Sequence, residues 1–147
     1  MTTDAISLEL EYLPRLPRHR DVGIGCIGAG FIMADCHLVA YRKAGFYPVA
    51  VTSRTAQRAR QVAERHGLTA YETVGHLLED PRVQVVDIAV PPDLQLDVIR
   101  EVVRRKHGIR GVLAQKPLGV NYAEAVEAVR LCADAGKIGR ASCRERV

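Results

Sequence analysis

Two glycines between an apolar run and a helical pattern form the segment with the clearest chemistry, Gly28-Ala29-Gly30-Phe31-Ile32-Met33. Gly28 permits a tight turn, and Gly30 lets the backbone approach a pyrophosphate, toward which the next helix points its free N–H groups. An ordinary structural turn has a similar composition, but the position between a strand and a helix favours phosphate binding. Met33 replaces the usual third small residue, so helix and strand must pack further apart, or the loop differs. The predicted dinucleotide contacts are Gly28, Ala29, Gly30, Phe31 and Ile32.

The residues after the second apolar run indicate which dinucleotide is preferred. An acid at this point bonds the adenosine ribose and favours NAD, but the sequence here is Thr52-Ser53-Arg54. Ser53 can donate to a phosphate oxygen, and Arg54 can pair with the 2′-phosphate of NADP. A solvated surface arginine is the alternative. We expect NADP to be preferred over NAD. The missing acid also disfavours a methyltransferase that binds S-adenosylmethionine.

Apolar runs and amphipathic segments alternate along the chain, as in an α/β protein. The predicted strands are 22–27, 47–52, 69–71, 83–90 and 111–114, and the predicted helices are 31–43, 56–66, 74–78, 94–106 and 122–135. Continuously apolar strands indicate a parallel sheet that is covered on both faces. A Rossmann-type doubly wound sheet has six strands in the order 3-2-1-4-5-6. The sequence therefore predicts an incomplete Rossmann-type sheet, which lacks its sixth strand and leaves 111–114 as an unpaired edge.

Composition and charge exclude several classes of protein. Of the 147 residues, 48% are hydrophobic and 26% charged, as in one soluble domain. Basic residues alternate with acidic ones along the predicted helices, which disfavours nucleic-acid binding. No apolar run approaches the roughly 20 residues of a membrane span. Cys26, Cys36 and Cys132 form no Cys-x-x-Cys pair, so we expect no metal site and a reducing cytoplasm.

The last ten residues, IGRASCRERV, can be encoded by a DNA sequence that is not of protein-coding origin. They back-translate to ATC GGA AGA GCG TCG TGT AGG GAA AGA GTG, a common sequencing-library adapter read in frame. We therefore predict that 138–147 is an artefact tail and not part of the native fold; an ordinary basic tail is the alternative. Without it the basic count falls from 21 to 18 and the acidic count from 17 to 16, so the net charge falls from +4 to +2. The predicted organisation is a loose arm over 1–20, a dinucleotide-binding domain over 21–137 and the tail.

A lysine after the fifth predicted strand completes a set of motifs that resembles a known family. The motifs are GIGCIGAGFI, His37, VAVTSR, VVDIAVPPDLQ and AQKPLG. In this order and spacing they resemble the N-terminal half of the Gfo/Idh/MocA oxidoreductases. The resemblance implies hydride transfer between a nicotinamide cofactor and a hydroxyl-bearing carbon, typically on a sugar or cyclitol. It also implies that Lys116 lies beside the nicotinamide, where it can help to move the accompanying proton.

Two residues depart from the family pattern. Gln115 stands where the family usually has Glu, which would hold Lys116 charged, and Gln95 stands where it often has His. Gln can hydrogen-bond a ligand but carries no proton at neutral pH. The resemblance implies that Pro91 and Pro92 line the cofactor cleft and that a cis Lys116–Pro117 bond is an option. His37 fits a packing and capping role as well as a ligand contact.

The resemblance also implies a second α/β domain that supplies the substrate pocket and the main acid/base histidine. We therefore expect this chain to be a truncated oxidoreductase that binds cofactor without turnover. We also expect exposed faces and poor solubility of the fragment, and a homo-oligomer when the protein is full length. Two alternatives stay open. One is a stand-alone dinucleotide-binding sensor or regulatory module. The other is a relative that has lost catalysis, which only Gln115 and Gln95 suggest.

Overall fold

The computed structural model describes residues 16–105 and 108–142 and contains one alternating series of strands and helices. Residues 1–15 of the predicted arm, the end of the fourth predicted helix at 106 and the tail residues 143–147 lie outside that description. The strands are β1 Gly23–Ile27, β2 Tyr47–Thr52, β3 Thr69–Tyr71, β4 Val85–Ile88, β5 Gly111–Gln115 and β6 Ile138–Ser142. Helix α1 consists of a π-helical part, Ile32–His37, and an α-helical part, Leu38–Lys43. The other helices are α2 Ala56–His66, α3 Val74–Glu79, α4 Pro92–Arg104 and α5 Tyr122–Asp134.

The six strands form one parallel sheet in the order β3-β2-β1-β4-β5-β6. The predicted Rossmann-type fold class is therefore confirmed, including the reversal of strand order between β1 and β4. Helices cover both faces, as continuously apolar parallel strands require. Neighbouring strand residues contribute to opposite cores: Cys26 packs with α1 and α2, whereas Ile27 packs with α3, α4 and α5. Among the residues described, no helix is both long and apolar enough to cross a bilayer.

The prediction of only five strands is wrong. Strand β6 pairs in parallel with β5, from Gly111 opposite Ile138 to Gln115 opposite Ser142, so β5 is not an edge. Gly136, at φ 63°, turns the chain after α5. The pairing itself joins backbone groups and needs no apolar run, which is why the sequence pattern of 138–142 did not reveal it. Because backbone pairing does not depend on where the residues come from, the adapter origin of 138–147 stays a prediction.

Three of the helix ends carry typical capping residues. The side chains of Thr73 and Asn121 each accept a hydrogen bond from the backbone N–H three residues later, at 3.1 and 3.0 Å. Gly67 adopts the left-handed conformation at the end of α2, with φ 61°, as expected of a terminating glycine. Thr55 occupies the N-cap position of α2, but its side chain makes no capping hydrogen bond.

Helix α1 differs from the prediction in its type of turn. The sequence predicts one helix over 31–43, but its first part, Ile32–His37, is π-helical. Met33 lies in this part and is fully buried in the core that α1 shares with β1 and β2. A π turn is wider than an α turn and often lies at a functional site. We attribute it to Met33, since the wider turn accommodates a large side chain where the usual fingerprint has a small one.

Candidate functional site

A cavity of about 520 Å³ opens at the carboxyl ends of β1, β2 and β4. Its walls include the loops that follow these strands and the first turns of α4. Because the strand order reverses between β1 and β4, this is the switch point at which open parallel sheets bind their ligands. Six of the predicted cofactor contacts line it: Gly28, Ala29, Gly30, Ser53, Arg54 and Pro91.

The two glycines of the turn are needed for different reasons. Gly28 has φ 110°, and a Cβ built on it would lie 2.2 Å from the carbonyl oxygen of Ala89. Its N–H donates to the carbonyl oxygen of Thr52 at 2.8 Å, which joins the turn to the end of β2. A Cβ on Gly30 would meet no described atom within 4 Å. Gly28 is therefore fixed by the chain itself, whereas Gly30 leaves open space against the cavity, as backbone approach by a pyrophosphate requires.

The end of β2 presents two cations to the cavity. Arg54 and Arg58 both line it and are exposed, and Ser53 lies beside them. The Ser53 hydroxyl accepts a long hydrogen bond from the N–H of Thr55, at 3.4 Å. The sequence analysis missed Arg58. The available signal was its place in the first turn of α2, where a cation opposes the helix dipole and is more useful to an anionic ligand than to the helix.

Acidic side chains also face this cavity. Glu72 follows β3, and Asp97 and Glu101 lie on α4. The cavity is therefore cationic at the end of β2 and acidic along α4. A bound phosphate is accordingly favoured near Arg54 and Arg58 and disfavoured near α4. The arginine end fits an adenosine phosphate, and the glycine turn fits a pyrophosphate.

The other predicted site residues lie outside this cavity. Phe31 directly precedes helix α1 and Ile32 begins it, and the two are 71% and 45% exposed. Pro92 is the first residue of α4, and Lys116 is exposed after β5, where the Lys116–Pro117 peptide bond is cis. Their contacts with a cofactor stay predictions, together with those of Gln95 and Gln115.

Gln95 holds the segment that carries Lys116. Its side chain is fully buried, and Nε2 donates to the carbonyl oxygens of Gln115 and Pro117, both at 2.8 Å. Its Oε1 has no hydrogen-bond partner among the residues described. Both N–H groups of the Gln95 amide are therefore bound by backbone carbonyl groups on either side of Lys116. The role of these two hydrogen bonds is structural.

A buried carboxylate lies on the opposite face of the sheet from Gln95, beneath α1. Asp87 of β4 is fully buried, and its Oδ2 lies 2.6 Å from Nδ1 of His37 and accepts a hydrogen bond from Tyr41, also at 2.6 Å. Nε2 of His37 lies 2.8 Å from Nε2 of Gln115. The hydrogen bond to Asp87 raises the pKa of His37. Burial, with the charge of Asp87, raises the pKa of both Tyr41 and Cys26, so these two groups stay neutral.

The sequence analysis did not single out Asp87 or Tyr41. The available signal was an aspartate within the apolar run VVDIAV, because a buried carboxylate needs a hydrogen-bonded partner. The identity of that partner could not be read, since His37 and Asp87 lie 50 residues apart.

Comparison with known proteins identifies the family. The family model described as "Oxidoreductase family, NAD-binding Rossmann fold" matches residues 22–141. The chain belongs to the Gfo/Idh/MocA family. The predicted resemblance is thereby confirmed, and with it the nicotinamide dinucleotide as the class of cofactor. The described part of this Gfo/Idh/MocA chain is a NAD(P)-binding Rossmann domain.

Three similar proteins illustrate the range of the family. Trans-1,2-dihydrobenzene-1,2-diol dehydrogenase from Oryctolagus cuniculus is 36% identical over 70% of this chain and 31% of its own. D-xylose 1-dehydrogenase (NADP(+)) 2 from Haloferax volcanii is 32% identical over 76% of this chain and 34% of its own. A 3-ketoreductase from Actinomadura kijaniata, solved with NADP and TDP-benzene, is 27% identical, with a TM-score of 0.74 over 82% of this chain and 37% of its own. The chain spans about a third of the length of the curated relatives that it matches.

Proposed function

We propose that this chain is the cofactor-binding part of an oxidoreductase that transfers a hydride between NADP(H) or NAD(H) and a hydroxyl-bearing carbon of a sugar, cyclitol or similar small molecule. The observation that carries the proposal is the cavity at the switch point, which joins the Gly28 turn to Arg54. The named relatives support the substrate class, since they include a diol dehydrogenase and a xylose dehydrogenase.

In this proposal the chain holds the dinucleotide along the carboxyl edge of the sheet. The backbone from Gly28 to Gly30 and the start of α1 bind the pyrophosphate. Ser53 contacts the adenosine ribose or its phosphate, while Arg54 and Arg58 pair with the 2′-phosphate. Pro91 forms an apolar wall of the cleft. The two arginines and the absence of an acid directly after β2 support a preference for NADP.

The bound nicotinamide supplies the hydride chemistry, and we assign the accompanying proton to Lys116. A lysine beside the substrate hydroxyl can accept or return that proton as the carbon is oxidised or reduced. Gln115 replaces the acid that the family usually carries at this position, so Lys116 lacks a neighbouring carboxylate there.

The remaining parts of the reaction are assigned to a second domain of the intact protein. In this family that domain supplies the substrate pocket and the main acid/base histidine. We therefore propose that the present chain binds cofactor but does not turn over substrate, and that the intact enzyme is a homo-oligomer. The specific substrate is left open.

The proposal is tested by titrating the chain with NADPH and with NADH while the nicotinamide fluorescence is followed. We expect saturable binding of both and a lower Kd for NADPH. Tighter binding of NADH would contradict the NADP preference. Failure of both cofactors to bind a folded chain would contradict the cofactor function itself. Turnover of a polyol by this chain would contradict the assignment of catalysis to a further domain.

A further inference from the structure

The side chain of His37 links the centre of the sheet to the residue before Lys116. On one side, Nδ1 lies 2.6 Å from Oδ2 of Asp87 on β4. On the other, Nε2 lies 2.8 Å from the amide nitrogen of Gln115 at the end of β5. Asp87 has no exposure, and Tyr41 donates to the same carboxylate oxygen. Asp87 is therefore a fixed acceptor, and Nδ1 of His37 keeps its proton in both charge states of the ring.

Nε2 of His37 is the ring nitrogen whose hydrogen-bonding role can change. When the imidazole is neutral, Nε2 is an acceptor and the NH₂ group of Gln115 donates to it, as the observed pairing of the two nitrogens requires. When the ring gains a proton, Nε2 becomes a donor and needs an acceptor. The amide can supply one only by turning its oxygen toward the ring. The other end of the amide then changes from an acceptor to a donor.

We propose that His37 is a positioning residue for Lys116, and that gain of a proton by its ring reverses its hydrogen bond to Gln115 and turns that amide over. The polarity of the Gln115 amide, on the residue that directly precedes Lys116, therefore depends on the charge of His37. A glutamate at position 115 would be an acceptor in either state, so the glutamine of this chain makes the arrangement reversible. The role of Lys116 in proton transfer rests on the proposed function, but the link from His37 to Gln115 does not.

The titratable groups around His37 are buried or paired, so its ring is the group in this cluster that we expect to change charge. From β4 it faces Asp87, whose hydrogen bond raises the pKa of the ring. Cys26 of β1 lies in the core that α1 covers, and Tyr41 of α1 packs edge-on against the His37 ring, with the centroids 6.2 Å apart. Burial raises the pKa of both Cys26 and Tyr41, which therefore stay neutral. From α2, Arg65 is paired with Asp35 at 2.6 Å, and β5 contributes only the neutral Gln115.

The experiment is an NMR titration of the chain without cofactor, between about pH 5 and pH 9, where histidine changes charge. It follows the ring nitrogens of His37, the side-chain amide of Gln115 and the backbone amide of Lys116. We expect the Gln115 and Lys116 signals to shift with the same midpoint as the His37 ring. A His37 that only packs the helix would titrate without moving Lys116, so Lys116 signals that are constant through the His37 midpoint would overturn the proposal.

Two substitutions at Gln115 and one control complete the test. Gln115→Glu places a carboxylate against Nε2, so the His37 midpoint should rise by about one unit or more. Gln115→Met removes both polar atoms, and the coupled shift of Lys116 should disappear while His37 still titrates. Gln61→Glu makes the same charge change at an exposed position of α2 and should leave the His37 midpoint unchanged. Equal midpoints in the wild type, Gln115→Glu and Gln61→Glu would overturn the proposal.

Cofactor titrations of the same variants separate this inference from the proposed function. If NADPH binds but the Lys116 backbone amide does not shift with the His37 midpoint, the proposed coupling from His37 to Lys116 fails and the cofactor function stands. If the coupled shift is observed but no dinucleotide binds, the coupling from His37 to Lys116 stands and the proposed cofactor function fails.

Discussion

Gly28 and Ala89 approach so closely that no side chain fits between them, since a Cβ on Gly28 would lie 2.2 Å from the Ala89 carbonyl oxygen. This contact joins the turn after β1 to the end of β4, the two strands that flank the switch point. Gly30, two residues away, has no such neighbour among the residues described. The turn therefore contains one glycine that the fold requires and one that leaves space open beside the cavity.

Gly28→Ala and Gly30→Ala should consequently have different effects. Gly28→Ala combines a backbone clash with a left-handed φ, so it should lower the free energy of unfolding by about 2 kcal/mol or more. Gly30→Ala should leave folding nearly unchanged and weaken NADPH binding, because its methyl group occupies the space against the pyrophosphate. Urea denaturation and fluorescence titration of both variants measure the two effects. Equal stability of the two variants, or unchanged NADPH binding by Gly30→Ala, would contradict this division.

Arg54→Ala and Arg58→Ala should each weaken NADPH binding by about tenfold, which corresponds to about 1.4 kcal/mol for a lost charge-assisted contact. Binding of NADH should change much less, because it lacks the 2′-phosphate. Arg60→Ala is the control, since Arg60 is exposed on the same helix but does not line the cavity. The measurement is the ratio of the two dissociation constants. A ratio that is the same in all three variants and the wild type would remove both arginines from the 2′-phosphate site.

Gln95→Leu should destabilise the chain by about 1 to 3 kcal/mol, because it leaves the carbonyl groups of Gln115 and Pro117 without their buried donor. Gln61→Leu, on the exposed face of α2, is the matched control and should have little effect. Urea denaturation gives the stabilities. In a folded Gln95→Leu sample the backbone amide of Lys116 should also exchange faster with solvent. Wild-type stability of Gln95→Leu would show that the two hydrogen bonds contribute nothing net.

The Asp80–Arg82 pair should make stability depend on acid pH. Hydrogen bonds from Arg82 lower the pKa of Asp80 from 3.8 to about 2. Since the folded-state pKa lies below the unfolded one, the stabilisation is present above pH 3.8 and is lost as the pH falls toward about 2.

Asp80→Asn should therefore lower the free energy of unfolding by about 1 kcal/mol at neutral pH, given that Arg82 is half exposed. At the acid limit it should lower it by almost nothing. Denaturation of the variant and the wild type over this range checks the sign. Asp97→Asn, at an exposed i,i+3 pair with Arg100, should show a smaller effect at every pH. A cost of Asp80→Asn that grows on acidification would contradict the assignment.

The origin of 138–147 is decided by long-read sequencing of the source DNA past the codon for Gly136. We expect the native reading frame to continue there with residues other than IGRASCRERV. DNA that encodes this string and then stops would contradict the adapter prediction and favour a stand-alone cofactor-binding module. The backbone pairing of β6 with β5 does not distinguish the two outcomes, because a native continuation can supply the same N–H and C=O groups.

The sequence predicted much of the fold, because buried parallel strands are short apolar runs between turn residues. The spans of β2 and β3 were predicted to the residue. Strand β6 was missed, since Ile138–Ser142 lacks such a run and pairs through its backbone. The π-helical start of α1 had only Met33 as a signal, and an α-helix would have fitted the same pattern.

Within the site, local motifs were readable and long-range partners were not. Gly28, Gly30 and Arg54 were predicted from their place within three residues of a strand end, and all three line the cavity. The pairing of His37 with Asp87 and Gln115 joins residues 50 and 78 positions apart, and no local pattern encodes it. Gln95 was predicted as a ligand contact from its position after two prolines, whereas its burial beneath the Lys116 segment depends on how α4 packs against β5.

Gln115 is hydrogen-bonded from both faces of the sheet. Its backbone carbonyl is bound by Gln95 of α4, and its side chain is paired with His37 of α1. These two helices pack against opposite cores, so the end of β5 is a junction between the two helical layers. A displacement of α1 can reach Lys116 through Gln115, and a displacement of α4 can reach it through Gln115 and Pro117, which flank it. Substitutions deep in either core, far from the cavity, should therefore alter the geometry at Lys116 without touching the cofactor.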